Sequence, residues 1–229
     1  MPADEFFAAR DLLLARRCDY DLAYREFRWP RLDRFNWALD VFDVQAAGNA
    51  RTALWLVDED GGETRRSFDD MRRRSNQVAN HLRELGVAPG DTLLLMLDNV
   101  VELWETLLAA IKLGAVVVPA TTLLAAQDLP DRLQRGRIRH LVVGHAHTAK
   151  FAGLDPSLTR IAVGDAVPGW QAYDDAFGAD DSFTPTVSTL ADDPLLLYFT
   201  SGTTSRPKLV VHTHQSYPVG SLSTLYWIG

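Results

Sequence analysis

The sequence predicts an α/β fold, a mostly parallel sheet flanked by helices with an antiparallel edge hairpin. Three observations point there. Short apolar runs recur at 91–97, 115–118, 140–143 and 160–163, the mark of strands covered on both faces. Amphipathic helical stretches separate them, and strand–helix–strand alternation joins parallel neighbours by crossovers. Nearer the start, residues 52–57 and 63–68 flank the turn sequence Asp58-Glu59-Asp60-Gly61-Gly62, which reads as a hairpin.

In chain order, residues 4–27 have helical amphipathic spacing, with Phe6, Phe7, Leu12, Leu13, Leu22 and Phe27 set among charges. Trp29-Pro30-Arg31 interrupts it. Asn36 is a good N-cap for a second helix through Leu39, Phe42 and Val44, which Gly48 ends. After the hairpin, Ser67-x-x-Asp70 resembles a capping box. It opens a helix with Met71, Val78, Leu82 and Leu85 on one face, closed by Gly86. Residues 91–97 form the first buried strand, and Asn99 is expected to cap the helix carrying Leu103, Leu107 and Ile111, ended by Gly114. Strand 115–118 stops at Pro119, helix 128–135 follows, then strands 140–143 and 160–163. Residues 164–194 read as a surface connection around a helical island at 171–177. Trp37, Trp55 and Trp104 read as core anchors, and Arg72-Arg73-Arg74 as a solvated helix face near acidic residues.

The composition excludes several functions. With 229 residues, 47% of them hydrophobic, the chain has ample material for a core. A net charge of -7 argues against a sequence-independent nucleic-acid binder, though a local nest of N–H groups can still hold a small anion. Cys18 is the only cysteine, so no internal disulfide is possible, and it is expected to be a buried or inert small residue. No Cys/His metal site is expected. The opening residues are not a signal peptide, since Asp4 and Glu5 are acidic and the run Leu12-Leu13-Leu14 is short. No window reaches the roughly 18–20 apolar residues of a membrane span, and a cytoplasmic location is expected.

The chemistry lies near the end. The apolar strand Leu195-Leu196-Leu197-Tyr198-Phe199 runs into Thr200-Ser201-Gly202-Thr203-Thr204-Ser205-Arg206-Pro207-Lys208, and Leu209-Val210-Val211-His212-Thr213-His214 follows. Short residues let turn amides approach an anion as a concave nest, hydroxyls donate to phosphate oxygens, Gly202 tolerates positive φ and Lys208 brings a compact charge. These features suit a polyphosphate. The Walker pattern is excluded because Pro207 stands where it needs a second glycine. His212 and His214 alternate along a strand and would share a face; a structural role is favoured over substrate contact for both. Tyr217 is read as packing or as a wall of the acyl side.

At these residues the chain resembles the AMP-forming acyl-CoA synthetases, a superfamily that includes luciferases and peptide-synthetase adenylation domains. Residues 198–208 look like the family's phosphate loop. The stretch Val211-His212-Thr213-His214-Gln215-Ser216-Tyr217 with Gly220 is most similar to the medium-chain acyl-CoA and acetyl-CoA branch. Residues 86–91, 99–104 and 109–119 resemble the approach to the family's first sheet. The similarity covers roughly residues 35–229. Ser205 departs from the family, which nearly always has Gly there; a positive φ would cost a Ser on the order of 1 kcal/mol.

The resemblance implies an incomplete N-terminal AMP-binding domain over 35–229, preceded by a helical extension over 1–34. It implies ATP, Mg2+ and coenzyme A, and a carboxylic acid, of the fatty class, activated as an acyl-adenylate and transferred to CoA. ATP phosphates would bind at Thr200, Ser201, Gly202, Thr203, Thr204, Ser205, Arg206, Pro207 and Lys208, with His212, His214 and Tyr217 on the substrate side. The family's later Tyr-Gly-x-Thr-Glu segment, ribose-binding Asp, hinge and catalytic Lys match nothing here, so a fragment lacking its C-terminal part and inactive alone is expected. A non-catalytic nucleotide-binding or interaction module and a peptide-synthetase adenylation domain stand as alternatives.

Overall fold

A computed structural model of the protein describes residues 3–200 and 207–228. The chain opens with helices α1 (Asp4–Ala15) and α2 (Tyr20–Glu26). The single helical stretch expected over 4–27 is thus two helices, because Asp19 caps the second by accepting from the Leu22 N–H at 3.0 Å. A π turn at Ala38–Phe42 leads into α3 (Asp43–Ala46), and Asn36 Oδ1 accepts from the Leu39 N–H at 3.3 Å. Strands β1 (Thr52–Val57) and β2 (Glu63–Ser67) pair antiparallel. This hairpin forms its own two-stranded sheet and does not edge the main one. Helix α4 (Phe68–Glu84) starts on the expected box: the Asp70 N–H donates to Ser67 Oγ at 3.0 Å and the Ser67 N–H to Asp70 Oδ2 at 3.1 Å.

The main sheet comprises β3 (Thr92–Met96), β4 (Val116–Pro119), β5 (Ile138–Gly144), β6 (Thr159–Val163), β7 (Gln171–Ala172), β8 (Pro194–Thr200) and β9 (Lys208–Thr213). Its order is β7-β6-β5-β3-β4-β8-β9, all parallel except β9, which runs antiparallel to β8. The antiparallel edge therefore lies beside the candidate loop. Helices α5 (Val101–Leu113) and α6 (Leu129–Gly136) connect the strands, and α7 (Ser216–Ile228) follows β9.

Period-two alternation explains the two cores. On β3, Leu93 and Leu95 enter a core with Val78 and Leu82 of α4 and Ala109 and Leu113 of α5. Leu94 and Met96 point the other way, against Leu129 of α6 and Phe151. Each fully buried Leu contributes about 1.5–3 kcal/mol relative to exposure. Gly114, at φ +73°, ends α5 in the left-handed region and turns the chain into β4.

Four local expectations need correction. Asn99 does not cap α5; Val100 holds that place, and Asn99 Oδ1 accepts from the Trp104 indole at 3.2 Å. Trp55 and Trp104 are 53% and 42% exposed, since an exposed hairpin and a helix rim carry them. The Arg65 guanidinium covers the Trp55 ring at 4.0 Å. Cys18 is exposed, in the break between α1 and α2. The island at 171–177 is the two-residue β7 followed by a 3-10 turn, Tyr173–Gly178, whose Tyr173 is buried.

The contact of α4 with α5 holds charges that the sequence does not advertise. Lys112 Nζ is fully buried and lies 2.8 Å from Asp43 Oδ1. Its hydrogen bonds go to Asn76 Oδ1 (2.7 Å), Ser75 Oγ (2.9 Å) and the Arg72 carbonyl (3.2 Å), which use the three donors of an ammonium. Burial lowers the Lys112 pKa to about 8 and raises that of Asp43. Nearby, buried Glu105 accepts from the Tyr173 hydroxyl and from Arg74, at 3.3 and 3.4 Å, and burial raises its pKa.

Candidate functional site

Strand β8 is apolar because its first residues enter the core: Leu195 and Leu196 are buried, and exposure grows towards Thr200. β9 returns in register, with Phe199 opposite Leu209 and Thr200 opposite Lys208. Thr200 and Lys208 therefore face each other where the two strands meet residues 201–206, both exposed, with Pro207 beside Lys208. Ser201, Gly202, Thr203, Thr204, Ser205 and Arg206 lie outside the described residues. The flanks are as the sequence leads one to expect, a buried strand going out and a strand coming back.

Around this hairpin three rings form a column. The His212 imidazole stands edge-on to Tyr198 (5.9 Å between centroids) and to Tyr217 (5.4 Å). Ser216 Oγ lies 3.5 Å from His212 Nδ1. Burial, and then the neighbouring Tyr217, push the Tyr198 hydroxyl pKa up. Reciprocal bonds start α7: the Thr213 N–H donates to Ser216 Oγ at 2.7 Å, and the Ser216 N–H to Thr213 Oγ1 at 3.0 Å.

His214 lies beyond the strand. β9 ends at Thr213, so His214 sits in the following turn, fully buried. Its N–H donates to the Asp193 carbonyl at 3.0 Å, and neither ring nitrogen has a partner among the described residues. Burial lowers its pKa to about 4.

Tyr198 and Tyr217 also line a cavity of about 460 Å³, with Trp104, Leu196, Leu222 and Leu225. Arg10 is the only charged side chain in its described lining, and Asp11 pairs with it at 2.7 Å. The cavity suits an apolar group.

Sequence reasoning missed the contribution of α6. Arg135 Nη2 donates to the Pro207 carbonyl at 2.8 Å. The Arg132 and Arg135 guanidinium carbons lie 4.4 and 5.5 Å from the Phe199 ring centre. A contact between residues 72 positions apart leaves no local signal. Among the described residues, no group of three His, Cys, Asp or Glu side chains could hold a metal ion, and no helix is long and apolar enough to cross a membrane.

Compared with known proteins, residues 42–228 match the family described as AMP-binding enzyme. The mitochondrial acyl-coenzyme A synthetase ACSM5 of Homo sapiens is 33% identical over 202 residues, covering 83% of this chain and 35% of its own length. The uncharacterised acyl–CoA ligase YtcI of Bacillus subtilis is 32% identical over 183 residues, covering 79% of this chain and 34% of its own. The solved acetoacetyl-CoA synthetase of Streptomyces lividans superposes with a TM-score of 0.75 at 25% identity, covering 86% of this chain and 33% of that one. The chain thus spans about a third of the length of the curated relatives it matches.

Proposed function

Because this chain belongs to the AMP-binding enzyme family, we propose that it carries the polyphosphate-binding portion of an ATP-dependent acid–CoA ligase acting on a carboxylic acid of the fatty class. One observation supports this most: an apolar strand and its antiparallel return bring Thr200 and Lys208 opposite each other across the ends of the hydroxyl-rich 201–206 segment. The relatives' names favour CoA ligation over peptide-synthetase adenylation. In this reading residues 35–229 are the first part of the AMP-binding domain and 1–34 a helical extension. The catalytic work is shared with a further C-terminal part of the same enzyme, and the chain alone does not turn over.

The reaction has two steps. A carboxylate oxygen attacks the α-phosphorus of ATP and pyrophosphate leaves; the CoA sulfur then attacks the acyl carbon of the adenylate and AMP leaves. Mg2+ enters with the nucleotide as substrate. Residues Thr200, Ser201, Gly202, Thr203, Thr204, Ser205, Arg206, Pro207 and Lys208 form the phosphate-binding set, with the hydroxyls of Thr200, Ser201, Thr203 and Thr204 donating to the β- and γ-phosphates. Lys208 neutralises charge on the departing pyrophosphate; positioning and charge stabilisation dominate such phosphoryl chemistry. His212 and Tyr217 stand nearest the acyl side. His214, buried in the turn after β9, shapes that wall indirectly.

In the full-length enzyme, Lys208→Ala is expected to slow acid-dependent ATP–pyrophosphate exchange about 10- to 100-fold, the worth of one charged hydrogen bond. The thermal midpoint should barely move, because Lys208 is exposed. Exchange at the unmodified rate removes the assignment.

A further inference from the structure

We propose that Arg135 is a positioning residue that sets the two arms of the β8–β9 hairpin from which residues 201–206 spring; this rests on the polyphosphate reading of residues 200–208. Each arm is held at its last residues. Pro207 immediately precedes Lys208, and its carbonyl accepts from Arg135 Nη2 at 2.8 Å. Proline has no N–H, so this carbonyl is its one backbone hydrogen-bonding group. Carbonyl and N–H of a trans peptide point opposite ways, so anchoring the Pro207 carbonyl on α6 also fixes the direction of the Lys208 N–H. On the other arm, Phe199 immediately precedes Thr200, and the guanidinium groups of Arg132 and Arg135 lie against its ring at 4.4 and 5.5 Å.

The clamp is itself anchored. Asp131 Oδ2 accepts from Arg135 Nη1 at 3.1 Å and from Arg132 Nη1 at 3.3 Å, holding both cations on one side of α6. Leu129 and Gly136 seat the helix in the core. Arg137 then takes a left-handed conformation, φ +50°, and its carbonyl accepts from Thr92 Oγ1 on β3. With Nη2 on Pro207 and Nη1 on Asp131, Arg135 acts through the backbone it holds, not as a phosphate ligand. Holding Phe199 and Pro207 sets where Thr200 and Lys208 stand opposite each other, and donors placed in advance lose less freedom when an anion binds.

The test is calorimetric titration of inorganic tripolyphosphate into the 229-residue chain, with amide hydrogen exchange in the absence of ligand. Arg135→Met keeps apolar contact with Phe199 but removes the donor; Arg135→Lys keeps a donor. The expected results are affinity about tenfold weaker for the Met variant and within about threefold for the Lys variant. Exchange at Lys208 and Leu209 should be faster only in the Met variant, with similar thermal midpoints throughout. Arg135→Gln replaces the Met variant if methionine disturbs Phe199. Wild-type affinity in the Met variant overturns the proposal, as do equal losses in both variants with unchanged exchange. Lys208→Ala separates the two readings. If it weakens binding while Arg135→Met does not, only the clamp fails; if the wild type does not bind, or Lys208→Ala binds equally well, the polyphosphate reading fails and the clamp with it.

Discussion

Replacing Lys112 with methionine is expected to destabilise the protein by about 3–5 kcal/mol at neutral pH, the usual cost of leaving one member of a buried ion pair uncompensated. Methionine nearly fills the lysine's volume, so the loss comes from charge and not from a cavity. Asp43 would remain at the junction of α3, α4 and α5 without its cation, and Asn76 Oδ1, Ser75 Oγ and the Arg72 carbonyl would each lose a donor. Burial already raises the Asp43 pKa with Lys112 present, so in the variant this carboxyl escapes part of the penalty by binding a proton. The deficit should therefore shrink as pH falls into the carboxylate range. Urea unfolding at several pH values checks this, with Asp43→Asn/Lys112→Met expected to recover part of the stability. A loss below about 1 kcal/mol would mean that the pair is solvated.

The second large effect is an acid limb from His214. Its folded pKa is about 4, against about 6.5 in an unfolded chain. The folded state thus holds this proton less tightly. Above pH 6.5 the ring is neutral in both states and contributes no pH dependence. Between 6.5 and 4 the unfolded state gains the proton first, and stability falls by about 3 kcal/mol in total. His214→Leu removes the titration while keeping an apolar filling. The stability difference between wild type and variant should change by about that amount across this window, whatever the other groups do. Parallel curves would show that the ring finds a partner or water when charged.

The elements legible in the sequence carry short-range signals. Ser67 and Asp70 stand three residues apart and make the expected capping box. β3 and β4 were readable because covered parallel strands admit only apolar residues. β8 could be read for the same reason, and β9 from its apolar run Leu209-Val210-Val211, with Thr200 and Lys208 marking where apolarity stops. What stayed hidden depends on contacts distant in sequence. Lys112, in the run Ala109-Ala110-Ile111-Lys112-Leu113, looks like one more solvated lysine until α3 and α4 close over it. Asn99 has the chemistry of a cap but is claimed by the Trp104 indole. Nor could the sequence show that His214 lies in the turn after β9 and is fully buried. Nothing near Arg135 announces that Pro207 needs a partner.

The proposed function requires residues 200–208 to receive the polyphosphate of ATP. Its most direct measurement is a titration of the chain with inorganic tripolyphosphate, followed residue by residue through backbone amide chemical shifts. Saturable shifts are expected between Thr200 and Lys208, weak elsewhere, absent from the β1–β2 hairpin and strongly reduced in Lys208→Ala. Saturable shifts centred elsewhere, or none in this segment at millimolar tripolyphosphate, would contradict it.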